Sequence, residues 1–335
     1  MQARKIYLSG GSTYIMSLPK KWVEKVGLKE GDTVFVMETQ SSLIVELREK
    51  EEDNREIVIK TSRVETSEAL EKLLISYYLI GYDTLKIILD HKEQLKYREV
   101  ARHISEILIG VEIVEDTNEA LTLEILLNER KLPTIKALRR IHMIVSSMLS
   151  ELISVFKEGE KALAKDITIR ENEVDRLYFL VVRQLKGAVR YSHLAEKLGI
   201  SDPRDALGYR MVVKNFERVS DHCENISKTY LKLAENDIED MREFAKILKL
   251  VSDAFQKASK SFFSLDMVAA QRVFYDMSEI NAIHEKTLNK LFQSKIKANR
   301  AMLLKGIMDS LNRIASYSTD IAEIAINMSV DVPPK

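Results

Sequence analysis

ENEVDRLYFLVVRQL, residues 171–185, and NFERVSDHCENISKTYL, residues 215–231, are the stretches that decide the fold of this chain. Both carry apolar residues at helical spacing. Each also holds an acidic pair four residues apart, Glu171 with Asp175 and Glu217 with Asp221. Four residues of α-helix advance about 40° beyond one full turn, so each pair projects both carboxylates from one face. Two such pairs facing one another make an oxygen-rich cluster suited to hard or borderline cations.

From Pro133 onward the same helical period dominates. Six helices are expected, near 134–158, 160–196, 203–235, 238–264, 266–297 and 299–328. They form a tandem repeat. FERVSDHCENISKTY from Phe216 lines up with LNRIASYSTDIAEIA from Leu311, and NEVDRLYFLVV from Asn172 with SEINAIHEKTL from Ser278. Two three-helix units of roughly 100 residues each make an all-α bundle over residues 133–330. In this register the second unit has Met277 and Asn281 where the first has Glu171 and Asp175. It has Asn312 and Ser316 where the first has Glu217 and Asp221. Asp276, Glu279, Asp320 and Glu323 lie nearby but off register. A cation cluster is therefore expected in the first unit.

ENEVDRLYFLVVRQL and FERVSDHCENISK resemble PhoU, the phosphate-uptake regulator family, in which each three-helix unit carries acid-x-x-x-Asp on its second and third helices. Arg218, His222, Asn225 and Ile226 match the ER-x-x-D-H-x-x-N-I run of that family, and the resemblance spans about residues 134–330. It implies that Glu171, Asp175, Glu217 and Asp221 hold a divalent or trivalent metal ion, with iron or zinc the ions of that family. On the residues alone, the same acids also read as solvated helix faces paired with Arg170, Arg176, Arg218 and Lys214, each pair worth little. His222 follows Asp221 directly and points about 100° away from the acidic stripe. His142 and His284 sit in apolar stripes and read as core histidines; Cys223 reads as a small buried residue.

Residues 1–48 have a different composition. RKIYLS and YIMSLP read as short strands around the turn GGST, KKWVEKVG as a helix closed by Gly27, and LKEGDTVFVMETQSSLIVEL as a hairpin turning at Gln40–Ser42. Trp22 reads as core. RKIYLSGGSTYIMSLPKKWVEKVGLKEGD resembles the AbrB-type swapped-hairpin module over residues 2–47, matching a basic first strand, the GGSTY turn, SLPK-x-W and GLKEGD in order. In that family two chains interleave hairpins into one DNA-binding barrel, so the resemblance implies a homodimer and DNA as partner. Arg4, Lys5, Lys20, Lys21 and Lys25 face a single acid, Glu24, in the first twenty-five residues and are the candidate phosphate contacts. The alternative is a barrel that only dimerises. Between the ends, EKEEDN at 49–54 is a charged linker, and residues 55–132 read as strand, helix, strand, helix and a hairpin tipped by Thr117–Asn118. That order makes a small α/β module with its sheet covered on one face, of no assigned role.

Fifty-one basic and fifty-one acidic residues cancel, so a nucleic-acid surface must be local. One cysteine, no apolar run of about 18 residues and a polar N-terminus point to a cytoplasmic protein without membrane insertion. No G-x-S-x-G, G-x-x-x-x-G-K-[ST], H-E-x-x-H or C-x-x-C occurs, and GGST precedes no lysine-bearing helix at the offset a phosphate loop requires, so an enzyme is not expected. The expected protein is mixed in class: a swapped-hairpin β-barrel, a small α/β module and a bundle of two three-helix repeats. Its expected role is a DNA-binding transcriptional regulator of phosphate homeostasis with a metal-binding sensory bundle. The alternative is an adaptor whose barrel only dimerises and whose bundle docks on a phosphate transporter or signalling protein.

Overall fold

The computed structural model describes residues 3–38, 43–46, 55–89, 94–128, 131–200, 202, 204–233, 241–293 and 296–330. It divides into two compact units, Met1–Asn54 and Arg55–Lys335.

In the first unit β1 (Ile6–Ser9) pairs antiparallel with β2 (Thr13–Met16). Gly10 and Gly11 turn the chain between them at φ of 60° and 80°, a region closed to most side chains. Helix α1 (Lys20–Val26) starts after Pro19 and stops at Gly27, which takes the left-handed cap conformation. Strands β3 (Phe35–Glu38) and β4 (Leu43–Glu46) form the second hairpin; its expected turn at Gln40–Ser42 lies outside the described residues. The hairpins stay separate two-stranded sheets, and no closed barrel forms among the described residues. Ile6, Leu8, Tyr14, Ile15, Val36 and Leu43 each keep more than half their surface exposed. Trp22, expected in a core, is only half-buried, because α1 buries no residue at all. Isolated two-stranded hairpins with both faces wet are marginal in water.

The second unit has two layers. Strand β5 (Glu56–Lys60) runs parallel to β6 (Thr84–Ile88); β8 (Ala120–Ile125) is antiparallel to β6, and β7 (Val111–Asp116) closes the order β5-β6-β8-β7. Thr117 stands at the β7–β8 tip as expected, its hydroxyl accepting from Ala120 N–H at 3.0 Å. Helices α2 (Ser67–Ile80) and α3 (Gln94–Ile107) supply Leu70, Leu74, Tyr78, Ala101 and Ile104 to a core with Leu85, Ile87, Leu121 and Leu123. On β5 the alternate residues Glu56, Val58 and Lys60 are exposed, so the sheet buries one face.

The second layer is the helical bundle: α4 (Thr134–Glu158), α5 (Lys161–Arg190), the short α6 (Ser192–Lys197), α7 (Asp205–Tyr230), α8 (Met241–Ser264), α9 (Met267–Gln293) and α10 (Ala298–Ser329). The expected second helix, 160–196, is broken. Tyr191 adopts extended backbone, and α6 folds back so closely that a Cβ on Gly187 would lie 2.6 Å from Leu194 Cδ2. Gly187 makes that corner sterically available. Helices α4, α5 and α7 form one repeat and α8, α9 and α10 the other, with α7 packed along α10. His222 and Tyr317, equivalent positions in the two repeats, meet each other at 5.8 Å between ring centroids. Contact between equivalent residues is what internal two-fold symmetry produces. No described helix is long and apolar enough to cross a membrane.

The layers are locked by Arg183 of α5. Its buried guanidinium donates to Tyr78 O at 2.8 Å, Tyr82 O at 2.7 Å and Asp83 Oδ1 at 2.7 Å. Phe179, one turn earlier on α5, packs against the sheet-layer core. The α/β module is therefore not a tethered spacer but a layer bolted to the first repeat.

Two outcomes are expected. Ile15→Asp with Val36→Asp should convert a dimer to a monomer in analytical ultracentrifugation while leaving helical circular dichroism intact; a wild-type monomer would remove the swapped-hairpin expectation. Asp83→Ala should cost about 1–3 kcal/mol in urea unfolding, because it strips a buried charged donor of its carboxylate. Asp116→Ala, which breaks the more exposed Arg98 pair, should cost under about 1 kcal/mol.

Candidate metal centre

Burial of Ile167, Val174, Leu177 and Val181 fixes the roll of α5, and burial of Val212, Phe216, Val219, Cys223 and Ile226 fixes that of α7. The two acidic stripes are thereby turned toward the seam between these helices. Glu171, Asp175 and Asp221 each offer one carboxylate oxygen, and the three oxygens lie within 4.8 Å of one another. All three side chains are half-buried.

Glu217, the fourth expected ligand, stands differently. It is 9% exposed, its Oε1 accepts a short ion pair from Lys214 Nζ, and its buried Oε2 has no hydrogen-bond partner. It still faces the same group, since its charge opposes ionisation of both Asp175 and Asp221. Glu224 is a fifth acid at the cluster, one that the acid-x-x-x-Asp motif does not include. It pairs with Lys228 at 2.6 Å and adds its repulsion to Glu171. Its signal is in the sequence: it stands seven residues after Glu217 and so shares that stripe.

Burial and mutual repulsion hold these acids partly protonated. Glu171 is pushed up to about 8, first by burial and then by Asp175, Glu224 and Asp221. Asp221 is pushed up to about 6 by burial, then Glu217 and Asp175. Asp175 is raised by burial and then by Glu217. Such a group of carboxylates can hold a cation or retain protons.

The neighbouring cations do not simply neutralise the stripe. Arg170 pairs instead with Asp166 at 2.8 Å and with Glu151, and Arg218 lies over the Tyr317 ring at 5.4 Å. Among the described residues Lys214 and Lys228 engage cluster acids, pairing with Glu217 and Glu224. His222 points away as expected, toward Tyr317, and burial makes its imidazolium easier to deprotonate. His142 is half-buried among Phe216, Phe255 and Phe263, His284 is half-buried on α9, and Cys223 is fully buried.

In the second repeat Met277 packs on the bundle core and Asn281 is exposed. Asn312 and Ser316 line an open cavity of ≈ 480 Å³ with Asp309 and Arg313. Asp276 is paired with Lys257 at 2.7 Å, and no acidic triple forms there among the described residues. In the first unit of the fold Arg4, Lys5, Lys20, Lys21 and Lys25 are all exposed. Lys21 and Lys25 share a face of α1, and Lys20 makes a loose surface pair with Glu24 at 3.8 Å.

Comparison with known proteins gives two matches to families. The PhoU domain matches twice, over residues 138–229 and 244–325, one match per repeat. The family described as "Antidote-toxin recognition MazE, bacterial antitoxin" matches residues 7–66. A Thermotoga maritima relative, "Phosphate-specific transport system accessory protein PhoU homolog 2", is 24% identical over 208 residues, covering 61% of this chain and 87% of the relative. A Caulobacter vibrioides PhoU homolog is 25% identical over 187 residues, covering 54% and 80%. Among solved structures, PhoU from Pseudomonas aeruginosa superposes with a TM-score of 0.50 at 18% identity, over 58% of this chain and 94% of that one. The phosphate transport system regulatory protein PhoU from Streptococcus pneumoniae gives 0.51 at 16% identity, over 60% and 96%. At these identities the structures speak to the fold.

The raised carboxyl groups set a pH dependence for metal-free protein. An acid whose folded value exceeds its unfolded one binds its proton more tightly when folded, so its stabilisation is complete below the unfolded value and is lost as pH rises through the folded value. For Glu171 that window runs from its ordinary 4.5 to about 8. Urea midpoints of chelator-treated protein should fall across it, and Glu171→Gln should flatten the fall. A midpoint that is level or rising between pH 5 and 8.5 would contradict the packing of these acids.

Proposed function

The chain belongs to the PhoU family, and from that premise we propose that it is a homodimeric DNA-binding regulator of phosphate uptake whose first repeat holds a metal ion. The observation that carries this reading is the joining, in one chain, of a basic strand-rich module matched by a MazE-type family to a PhoU bundle with one intact carboxylate cluster. The exposed Arg4, Lys5, Lys20, Lys21 and Lys25 would contact the phosphate backbone, and two copies would double their number. Glu171, Asp175 and Asp221 would hold the ion. Their fit is supported by three oxygens already within 4.8 Å and by the buried, unpartnered Oε2 of Glu217 beside them. A carboxylate-only set suits hard divalent cations, and the iron or zinc that the resemblance implies falls within its reach. The ion would supply positive charge to a seam that is otherwise held together against repulsion. Helix α5 carries Glu171 and Asp175 of the cluster as well as Arg183, so a change at the cluster would reach the sheet layer along this helix.

A second reading is favoured by the names of the relatives, which are accessory proteins of a phosphate-specific transport system. There the strand module only dimerises, and the bundle acts on a transporter or its signalling partner. Gel shifts on promoter fragments separate the two. The regulator should bind DNA with an affinity that falls steeply with salt. Arg4→Ala with Lys5→Ala should lower the log–log slope by about 0.9 for every backbone phosphate that these two side chains neutralise. No shift at low salt would leave the adaptor reading.

The metal is tested apart from the DNA. Asp175→Asn with Asp221→Asn should abolish stoichiometric metal in loaded, desalted protein measured by elemental analysis, with helicity unchanged. Asp276→Asn with Asp320→Asn should leave the content as in wild type. Metal-free wild type, or retention by the first variant, would reduce the stripes to a solvated surface.

A further inference from the structure

Arg313 of α10 carries a charge that its surroundings leave unopposed. It lines the open cavity of ≈ 480 Å³ with Asp309, Asn312 and Ser316, four positions spaced as one face of a helix. Asp309 turns back one turn, where its Oδ2 takes a short ion pair from Lys305 Nζ. Among the described residues Arg313 has no ion pair and lies over no aromatic ring.

Its counterpart in the first repeat is placed differently. The register that sets Leu311 on Phe216 sets Arg313 on Arg218 and Asp320 on Asn225. Arg218 covers the Tyr317 ring at 5.4 Å, and its charge favours the ionised form of Asp320. Arg313 meets instead His222 of α7, whose imidazolium its charge opposes, and the residue that answers to Asp320 is the uncharged Asn225. The acids flanking Arg218, Glu217 and Asp221, are an amide and a hydroxyl beside Arg313, namely Asn312 and Ser316. The second repeat has thus lost the carboxylates and kept the arginine.

The other lining groups are mostly donors. Asn312 Oδ1 is buried, so the Nδ2 end of its amide is left to the cavity. The Ser316 hydroxyl donates to Asn312 O at 3.0 Å, a back-bond within the helix that it can exchange for a ligand. Donors around an unopposed guanidinium suit an oxyanion. The Asp309 carboxylate adds a condition. It repels an anion that can only accept, such as sulfate, and accepts from one that carries a hydroxyl. Monohydrogen phosphate meets both demands, and so does a phosphomonoester with a free hydroxyl.

We infer that this cavity is a phosphate site, in which Arg313 pairs with the phosphate oxygens, Asn312 and Ser316 donate to them, and Asp309 accepts from a hydroxyl of the ligand. Its volume admits inorganic phosphate or a small phosphomonoester. The inference draws on neither the metal centre nor the DNA-binding reading, and its failure leaves both standing.

Equilibrium dialysis of full-length, chelator-treated protein near neutral pH tests it, with inorganic phosphate, ribose 5-phosphate and sulfate as probes and circular dichroism to check folding. Wild type should bind phosphate or ribose 5-phosphate at one per chain, and sulfate at least about tenfold more weakly. Tighter binding of ribose 5-phosphate identifies a phosphomonoester as the ligand, and equal or weaker binding identifies inorganic phosphate. Arg313→Met should weaken the bound probe at least about tenfold, whereas Arg218→Met should keep wild-type affinity. Asp309→Asn should remove most of the preference over sulfate. Sulfate bound as well as phosphate by wild type, full affinity in Arg313→Met, an unchanged preference in Asp309→Asn, or no binding of either phosphate probe would overturn the site.

Discussion

Like charge brought together in a seam from which water is partly excluded is the constraint on which the structure turns. Helices α5 and α7 must pack their apolar stripes, and in doing so they press Glu171, Asp175, Glu217 and Asp221 into one group. Nothing in the packing requires acids there. The sites would accept apolar or neutral residues, as the second repeat demonstrates with Met277, Asn281, Asn312 and Ser316. Unfavourable electrostatics that packing does not demand are the ground on which a ligand site is proposed here. The compensations are all local. Lys214 engages Glu217, Lys228 engages Glu224, and Glu171 and Asp221 hold protons at pH values where carboxyls are normally ionised.

The second dependence is mechanical. Helix α5 is shared by two cores, with Val174 and Val181 in the bundle and Phe179 against the sheet layer. Arg183 fastens it to two backbone carbonyls and to Asp83. A guanidinium with this many fixed partners tolerates little displacement. The first repeat is thus tied to the sheet layer that follows the strand-rich module in sequence, whereas the second repeat carries an open polar cavity at the positions equivalent to Lys214, Glu217, Arg218 and Asp221. The two repeats share a fold and an internal two-fold contact at His222 and Tyr317 but have parted in chemistry.

Much of this is legible in the sequence. The 3.6-residue period of six long helices, the repeat register and the acidic pairs all follow from residue type and spacing, and they are local properties. The rest is set by contacts between distant segments. The break at Tyr191 depends on Gly187 meeting Leu194, and the docking of the α/β module depends on Arg183 finding Asp83 a hundred residues away. Trp22 has the size of a core residue, but the short strands around it bury nothing within one chain. Lys214 is readable as an ion-pair partner of these acids, but only packing selects Glu217 as its partner and puts the pair inside the cluster. Glu224 is readable from its stripe but escapes a search for the four-residue motif, which it breaks.

The position of a bound ion tests the account most directly. Crystals of the full chain grown with a divalent metal would be measured at that metal's absorption edge. The account predicts one anomalous peak per chain, between α5 and α7 at the carboxylates of Glu171, Asp175 and Asp221, and none beside Asn312 and Ser316. Absence of that peak at full metal loading, or a peak of equal height in the second repeat, would contradict it.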